Sequence, residues 1–304
     1  MKKIILSVVA ALAASAAPAF AADMPVKAAP APVVAPSPFD IAFGGAIMTD
    51  YMWRGITQSA HKPSVAAYFE PRYNINPNLQ LYAGLSGESI KFPNDAAAEI
   101  DFYGGVRPTF GPVALDVGVW YYYYPGGESR YTEWWTGAPA VTAAIADASF
   151  YEIYGKGTWT VNDIIAVGGN FYYTPSYLAT GAEGTYASAT LKLTAPASML
   201  PAGIGAYVSG EFGRQWLGTT DRIPGVFVPA VDLPDYNTWN VGIGFTWKAF
   251  TLDLRYSDTD LSKTECFTIT GDPHAGPPAA LGSNWCGSTF FAKLSVDTSV
   301  AGLK

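Results

Sequence analysis

Twelve times along this chain, apolar side chains alternate with polar or small ones over nine to fifteen residues. The first copy, Phe39–Trp53, sets the pattern. Phe39, Ile41, Phe43, Gly45, Ile47, Thr49, Tyr51 and Trp53 share one parity; Asp40, Ala42, Gly44, Ala46, Met48, Asp50 and Met52 share the other. Successive strand residues point to opposite faces, so a strand here has one greasy face and one small or acidic face. A soluble sandwich would turn the greasy face into its core, and an outer-membrane barrel would turn it toward lipid.

The remaining copies are Ser64–Asn74, Leu79–Ser89, Glu99–Thr109, Val113–Tyr124, Phe150–Thr160, Ile164–Thr174, Tyr186–Thr194, Gly203–Arg214, Thr238–Trp247, Phe250–Asp258 and Ser288–Asp297. A tilted strand needs roughly 9–11 residues to cross a bilayer, whereas soluble strands usually run about 5–6. Connections after even-numbered copies are mostly short, as in Phe110-Gly111-Pro112, Val161-Asn162-Asp163 and Lys248-Ala249. Those after odd-numbered copies are mostly long: Arg54–Pro63, Ile90–Ala98, Pro125–Ser149, Pro175–Thr185, Gln215–Asn237 and Thr259–Gly287. Short turns at one end and long loops at the other give the polarity of an outer-membrane barrel. The expected fold is all-β: one twelve-stranded antiparallel transmembrane barrel, with short periplasmic turns and long extracellular loops.

Composition agrees. Charged residues are 14% of the chain, about half the usual globular share, while aromatic residues also reach 14% and glycines number 31. No apolar span of helix length follows the N-terminal segment. That segment, Met1–Ala21, has the basic start Lys2-Lys3, an apolar run and the Ala19-Phe20-Ala21 motif of a secretory signal, with cleavage expected between Ala21 and Ala22. Residues 22–38 are rich in Pro and Ala and read as a periplasmic linker, leaving 39–304 as the barrel. Loss of Lys2 and Lys3 leaves 25 acidic residues against 16 of the 18 basic ones, net −9. Such a balance excludes nucleic acid as a partner; outer-membrane lipid and small polar solutes or ions are the expected partners.

If the apolar parity faces lipid, the charges on the other parity face the lumen. Asp50, Glu70, Glu88, Glu99, Asp101, Asp116, Glu152, Glu211 and Asp253 stand against Arg72, Arg107, Lys156, Lys192, Arg255 and Lys293, and Arg54 follows at the end of the first copy. They serve either as a cross-braced wall of ion pairs or as a polar path with a mild preference for cations. Twelve strands lie between side-chain-filled small barrels and open porins, so a narrow or partly plugged pore is expected.

Tyr121, Tyr123, Trp159, Trp239 and Trp247 fit an aromatic girdle at the membrane interfaces, whereas Trp134 and Trp135 fall in a long loop. Cys266 and Cys286, the only cysteines, share the last long loop of an exported chain, which suggests a disulfide. With two histidines, His61 and His274, and no Cys/His cluster, no metal or other cofactor is expected. A lipid hydrolase would need a nucleophile, a base and an orienting group. His61 with Ser59 or Ser64 is the nearest approach to that set, so the chain is read as a non-enzyme.

Thr49-Asp50-Tyr51-Met52-Trp53-Arg54-Gly55-Ile56-Thr57-Gln58-Ser59 resembles the opening motif of a proteobacterial family of TorF-type porins. Glu99–Gly105, Tyr122-Tyr123-Tyr124-Pro125-Gly126, Tyr151–Gly155 and Tyr256–Asp260 resemble later landmarks of that family. The resemblance implies an outer-membrane barrel with a porin role. The reading is therefore a channel for small polar solutes or ions. A barrel that presents its long loops to a partner is the alternative, and a barrel lipase is the third.

Overall fold

A computed structural model describes residues 38–128, 147–221, 230–272, 274 and 282–303. The signal segment, the Ala21–Ala22 cleavage position, the linker up to residue 37, and Trp134 and Trp135 lie outside the described residues.

Among the described residues fourteen strands follow in chain order: β1 (Phe39–Met48), β2 (Met52–Trp53), β3 (Ile56–Thr57), β4 (Ser64–Asn76), β5 (Leu79–Glu88), β6 (Glu99–Phe110), β7 (Val113–Tyr123), β8 (Phe150–Thr160), β9 (Ile165–Thr174), β10 (Gly184–Thr194), β11 (Ile204–Leu217), β12 (Tyr236–Trp247), β13 (Phe250–Thr259) and β14 (Thr289–Ser299). Twelve of them form a closed antiparallel barrel, and β2 and β3 form a separate two-stranded ribbon. Each barrel strand pairs with its sequence neighbours. The cylinder closes where β1 pairs with both β4 (Phe43 opposite Phe69) and β14 (Phe43 opposite Thr298). Closure leaves no strand edge unpaired, which lipid demands of any spanning sheet. Among the described residues no helix is long and apolar enough to cross a membrane.

The predicted parities separate outside from inside. Along β7, Val117, Val119, Tyr121 and Tyr123 are exposed, while Asp116, Trp120 and Tyr122 are buried. The same holds on β12, where Val241, Ile243, Phe245 and Trp247 face outward. Ile47, Val65, Phe102, Val117, Trp159, Phe212 and Phe290 extend this apolar exposure around the cylinder. A soluble monomer rarely exposes more than a few hundred Å² of contiguous apolar surface, so this belt belongs against hydrocarbon.

Inside, glycine and tyrosine face each other across neighbouring strands. Gly44 lies opposite Tyr68, Gly84 opposite Tyr103, Gly105 opposite Tyr82, Gly118 opposite Tyr154 and Gly244 opposite Tyr207. At each of these glycines a Cβ would collide with the facing tyrosine. The missing side chain lets the phenol ring lie flat on the wall of the barrel.

Two expectations need correction. The first strand does not run to Trp53 but ends at Met48, where the backbone N–H of Thr49 donates to Ala292 O at 2.9 Å. Tyr51 and Trp53 therefore do not face lipid: Tyr51 is buried, and Trp53 packs on an internal aromatic cluster. The loop Arg54–Pro63 is not purely extracellular, because its opening turn is folded into the barrel. The long loop Thr259–Gly287 carries a helix, α1 (Lys263–Thr270). The Ser262 side chain accepts from the Glu265 N–H at 3.2 Å, Glu265 Oε2 accepts from the Ser262 N–H at 2.8 Å, and Gly271 closes the helix at φ 61°. The sequence carries that capping box as S-x-x-E.

Candidate functional site

The site is built around the tip of the β2–β3 ribbon. Met52 pairs with Thr57 and Trp53 with Ile56, so the connecting pair is Arg54-Gly55. Both residues have positive φ, 47° and 81°. A tight right-twisted hairpin of the I′ kind needs that backbone at both central positions. Gly55 meets a second demand, since a Cβ there would strike the Thr259 and Thr238 side chains of the barrel wall.

This turn aims Arg54 across the interior. Its Nη1 and Nη2 donate to Glu152 Oε1 at 2.8 Å and Oε2 at 2.7 Å, a two-pronged pair, and Nη1 also donates to Gln215 Oε1 at 2.9 Å. The guanidinium lies over the rings of Trp53, Tyr172 and Tyr186 at 4.2, 4.7 and 4.4 Å. Planar, forked and weakly hydrated, Arg suits such a carboxylate and aromatic cage better than Lys. Trp53 stacks on Tyr177 and meets Tyr122 edge-on, at centroid distances of 6.2 and 6.0 Å. Tyr122 in turn stacks on Phe150 and donates to Glu152 Oε2 at 3.0 Å.

The last long loop closes over the ribbon. The Thr57 N–H donates to Trp285 O at 2.9 Å, and Thr259 Oγ1 donates to Cys286 O at 2.7 Å. Cys266 and Cys286 form a disulfide, and with Ile56, Tyr236 and Trp285 they make one buried apolar cluster.

Asp50 stands in the loop after β1 rather than in the wall, and it organises the first loop. It accepts from Thr57 Oγ1 and from Ser59 Oγ (3.0 Å), and its Oδ2 lies 2.7 Å from His61 Nδ1. His61 Nε2 lies 3.1 Å from the backbone oxygen of Asn284, so the imidazole bridges the first and last loops. Hydrogen bonding to Asp50 raises the His61 pKa above the ordinary histidine value, against the opposing pull of burial. The third member that sequence reasoning missed beside His61 is thus Asp50. The arrangement is not a nucleophile relay, however, because the Ser59 hydroxyl donates to Asp50 and to Lys62 O rather than to the imidazole.

The other predicted interior charges gather on two opposite stretches of wall. On β4–β8, Arg107 donates to both oxygens of Glu70 (2.7 and 3.1 Å) and to Asp116 (3.2 Å), and Arg72 pairs with Glu70. Tyr82 and Tyr154 hydrogen-bond to each other and to Asp116, and the Lys156 ammonium sits 4.5 Å over the Tyr154 ring. On β9–β14, Arg255 joins Asp253 (2.9 Å) to Ser209 and Asn240, and Tyr207 donates to Asp253 at 2.8 Å. Lys192 lies 4.6 Å over Tyr207, Lys293 stands opposite Asp253 in register, and Glu211 accepts from Tyr186 and Asn170. Glu99 and Asp101 sit with Glu88 near the loop end of β5 and β6, all three buried.

A closed twelve-stranded cylinder, greasy outside, polar inside and with its first loop tucked within, defines a β-barrel of the outer-membrane type in a lipid setting. Within that class, the chain belongs to the Gcw_chp family, described as a bacterial protein of unknown function, which matches residues 33–276. No curated protein matches it.

Among solved structures it is similar to one described as "Unveiling the Mechanism Behind the in-meso Crystallization of Membrane Proteins" (10% identity, 86% of this chain and 84% of that one, TM-score 0.46). It is similar to a loop L8 deletion mutant of OmpT, an outer membrane protein of Vibrio cholerae (10% identity, 86% and 98%, TM-score 0.36). It is also similar to LpxR from Salmonella typhimurium (9% identity, 84% and 99%, TM-score 0.38).

Proposed function

We propose that this protein is an exported outer-membrane channel for small polar solutes or ions, whose path is narrowed by its first loop. One observation carries the reading. Arg54, at the tip of an inward-folded ribbon, reaches across a polar interior to Glu152 and Gln215 on the far strands. A barrel that served only as a scaffold for its loops would have no need to hold a charged hairpin inside a charged lumen. The resemblance of Thr49–Ser59 to the opening motif of TorF-type porins supports the same reading, because that stretch contains the ribbon. On this proposal Asp50 and Arg54 set the constriction, and the wall networks around Arg107 and Arg255 line the route. Residues 1–21 direct export and are removed between Ala21 and Ala22.

Planar-bilayer recording tests it. The intact protein should conduct weakly. A variant with residues 52–57 replaced by a short Gly-Ser turn should conduct several-fold more. If neither form conducts in any common salt, the channel reading fails. A second reading, a barrel presenting its loops to a partner, is favoured by the last loop, which is disulfide-closed and carries a capped helix. A barrel of that kind would lose its partner, and no conductance, when that loop is shortened.

A further inference from the structure

Most well-buried interior acids described above meet an arginine, but one group of three does not. Glu88 ends β5, Glu99 opens β6 directly opposite it, and Asp101 follows on the same face. Each is 2% exposed. One carboxylate oxygen from each lies within 4.8 Å of the other two. Among the described residues none of the three is in an ion pair.

Glu99 is held on both oxygens, by the Tyr51 hydroxyl at 2.5 Å and the Tyr124 hydroxyl at 2.8 Å. In contrast, both oxygens of Glu88 and Oδ1 of Asp101 lack a well-formed hydrogen bond, with only Ser86 and the Trp120 indole approaching these two carboxylates. Buried acceptors left without a partner cost free energy, and several close carboxylates cost more still. A small cavity lined by Gly45, Ala46, Ala66, Ala67, Tyr68 and Asp297 reaches Glu88.

We infer that Glu88, Glu99 and Asp101 bind a hard divalent cation of the Ca²⁺ class at the loop end of the barrel. The donors are all oxygen and all carboxylate, which suits Ca²⁺ or Mg²⁺ and no soft metal. Calcium–oxygen distances of about 2.3–2.6 Å place opposed ligands about 5 Å apart, so the observed spacing accepts the ion without movement of the strands. Two phenol donors orient Glu99 as an acceptor, and Glu88 and Asp101 supply the unpartnered oxygens. Tyr51, which leads into the β2–β3 ribbon, is anchored on Glu99. An ion at this site therefore fixes the root of the inward-folded loop. The site is independent of whether the barrel conducts, and its test reads binding rather than current.

The full-length protein, stripped of metal and folded in detergent micelles, is titrated with Tb³⁺ under excitation of the nearby tyrosines and Trp120. The expected result is sensitised luminescence saturating at one ion per chain and displaced by Ca²⁺. Ca²⁺ should also raise the Tm of the intact protein. In the double variant E88Q/D101N the luminescence and the Tm response should both disappear, while Glu211→Gln, on the opposite wall, should keep both. Absence of a one-per-chain site in the intact folded protein overturns the inference, and so does full retention of binding by E88Q/D101N. An infrared band of protonated carboxylic acid at neutral pH overturns it as well, if Ca²⁺ leaves the band unchanged and E88Q/D101N abolishes it. That result would mean shared protons do the neutralising.

Discussion

Arg54 and Glu152 stand 98 residues apart in the chain and meet at 2.7 Å inside the barrel, where each is almost wholly shielded from solvent. The pair joins a loop tip to the wall, so it fixes the ribbon as well as satisfying two charges. Removing one member of a buried pair strands the other, at a cost of about 3–5 kcal/mol. Arg54→Ala should lose stability on that scale in urea unfolding followed by tryptophan fluorescence. Arg54→Lys keeps the charge but not the fork, and should recover only part of the loss.

Gly244 faces the ring of Tyr207, and a side chain there would displace the phenol from Asp253. Gly244→Val should cost about 1–3 kcal/mol through overpacking. Gly203, whose Cβ would meet nothing within 4 Å, marks the opposite case: only its backbone angle resists substitution. Comparing Gly244→Val with Gly203→Asn, a residue that tolerates positive φ, in the same unfolding assay separates crowding from backbone strain. The Asn variant should lose less than Gly244→Val, about 1 kcal/mol, because only the left-handed backbone resists it.

His61 links the two loops through Asp50 and the Asn284 carbonyl, and its pKa is raised above the ordinary value near 6.5 by the Asp50 hydrogen bond. A group whose folded pKa is raised stabilises the fold fully below its unfolded pKa. That contribution is lost as pH rises through the folded pKa. The Tm difference between the intact protein and His61→Gln should therefore be largest in mild acid and shrink as pH climbs past neutrality. A difference that grows with pH would contradict the link.

Cys266 and Cys286 close the loop that covers the ribbon. In the chain-entropy model a bridge across 20 residues of sequence stabilises by about 3 kcal/mol. Cys266→Ser/Cys286→Ser should lower stability toward that extent and raise hydrogen exchange at the Thr57 N–H, which donates to Trp285 O. The barrel strands, paired all round, should exchange as before.

The amino-acid sequence by itself determined the cylinder. Strand lengths, the sorting of short and long connections and the side each residue takes follow from a two-residue period, which is a local property. Alternation also puts Glu70, Arg107, Asp253 and Arg255 on the parity opposite the apolar one. Only the tertiary structure decided the interior. Arg54 reads as one more lumen charge, but the Arg54-Gly55 turn is not legible, because a positive-φ pair shows its purpose only when Thr238, Thr259 and Glu152 arrive from distant strands. Asp50 and His61 find each other through the fold of one loop and are pinned by another 223 residues on. The closeness of Glu88, Glu99 and Asp101 depends on strand register together with the approach of Tyr51 and Tyr124, and no periodicity encodes that. A two-residue alternation specifies direction relative to the sheet; distances across the enclosed space are set only when the sheet closes.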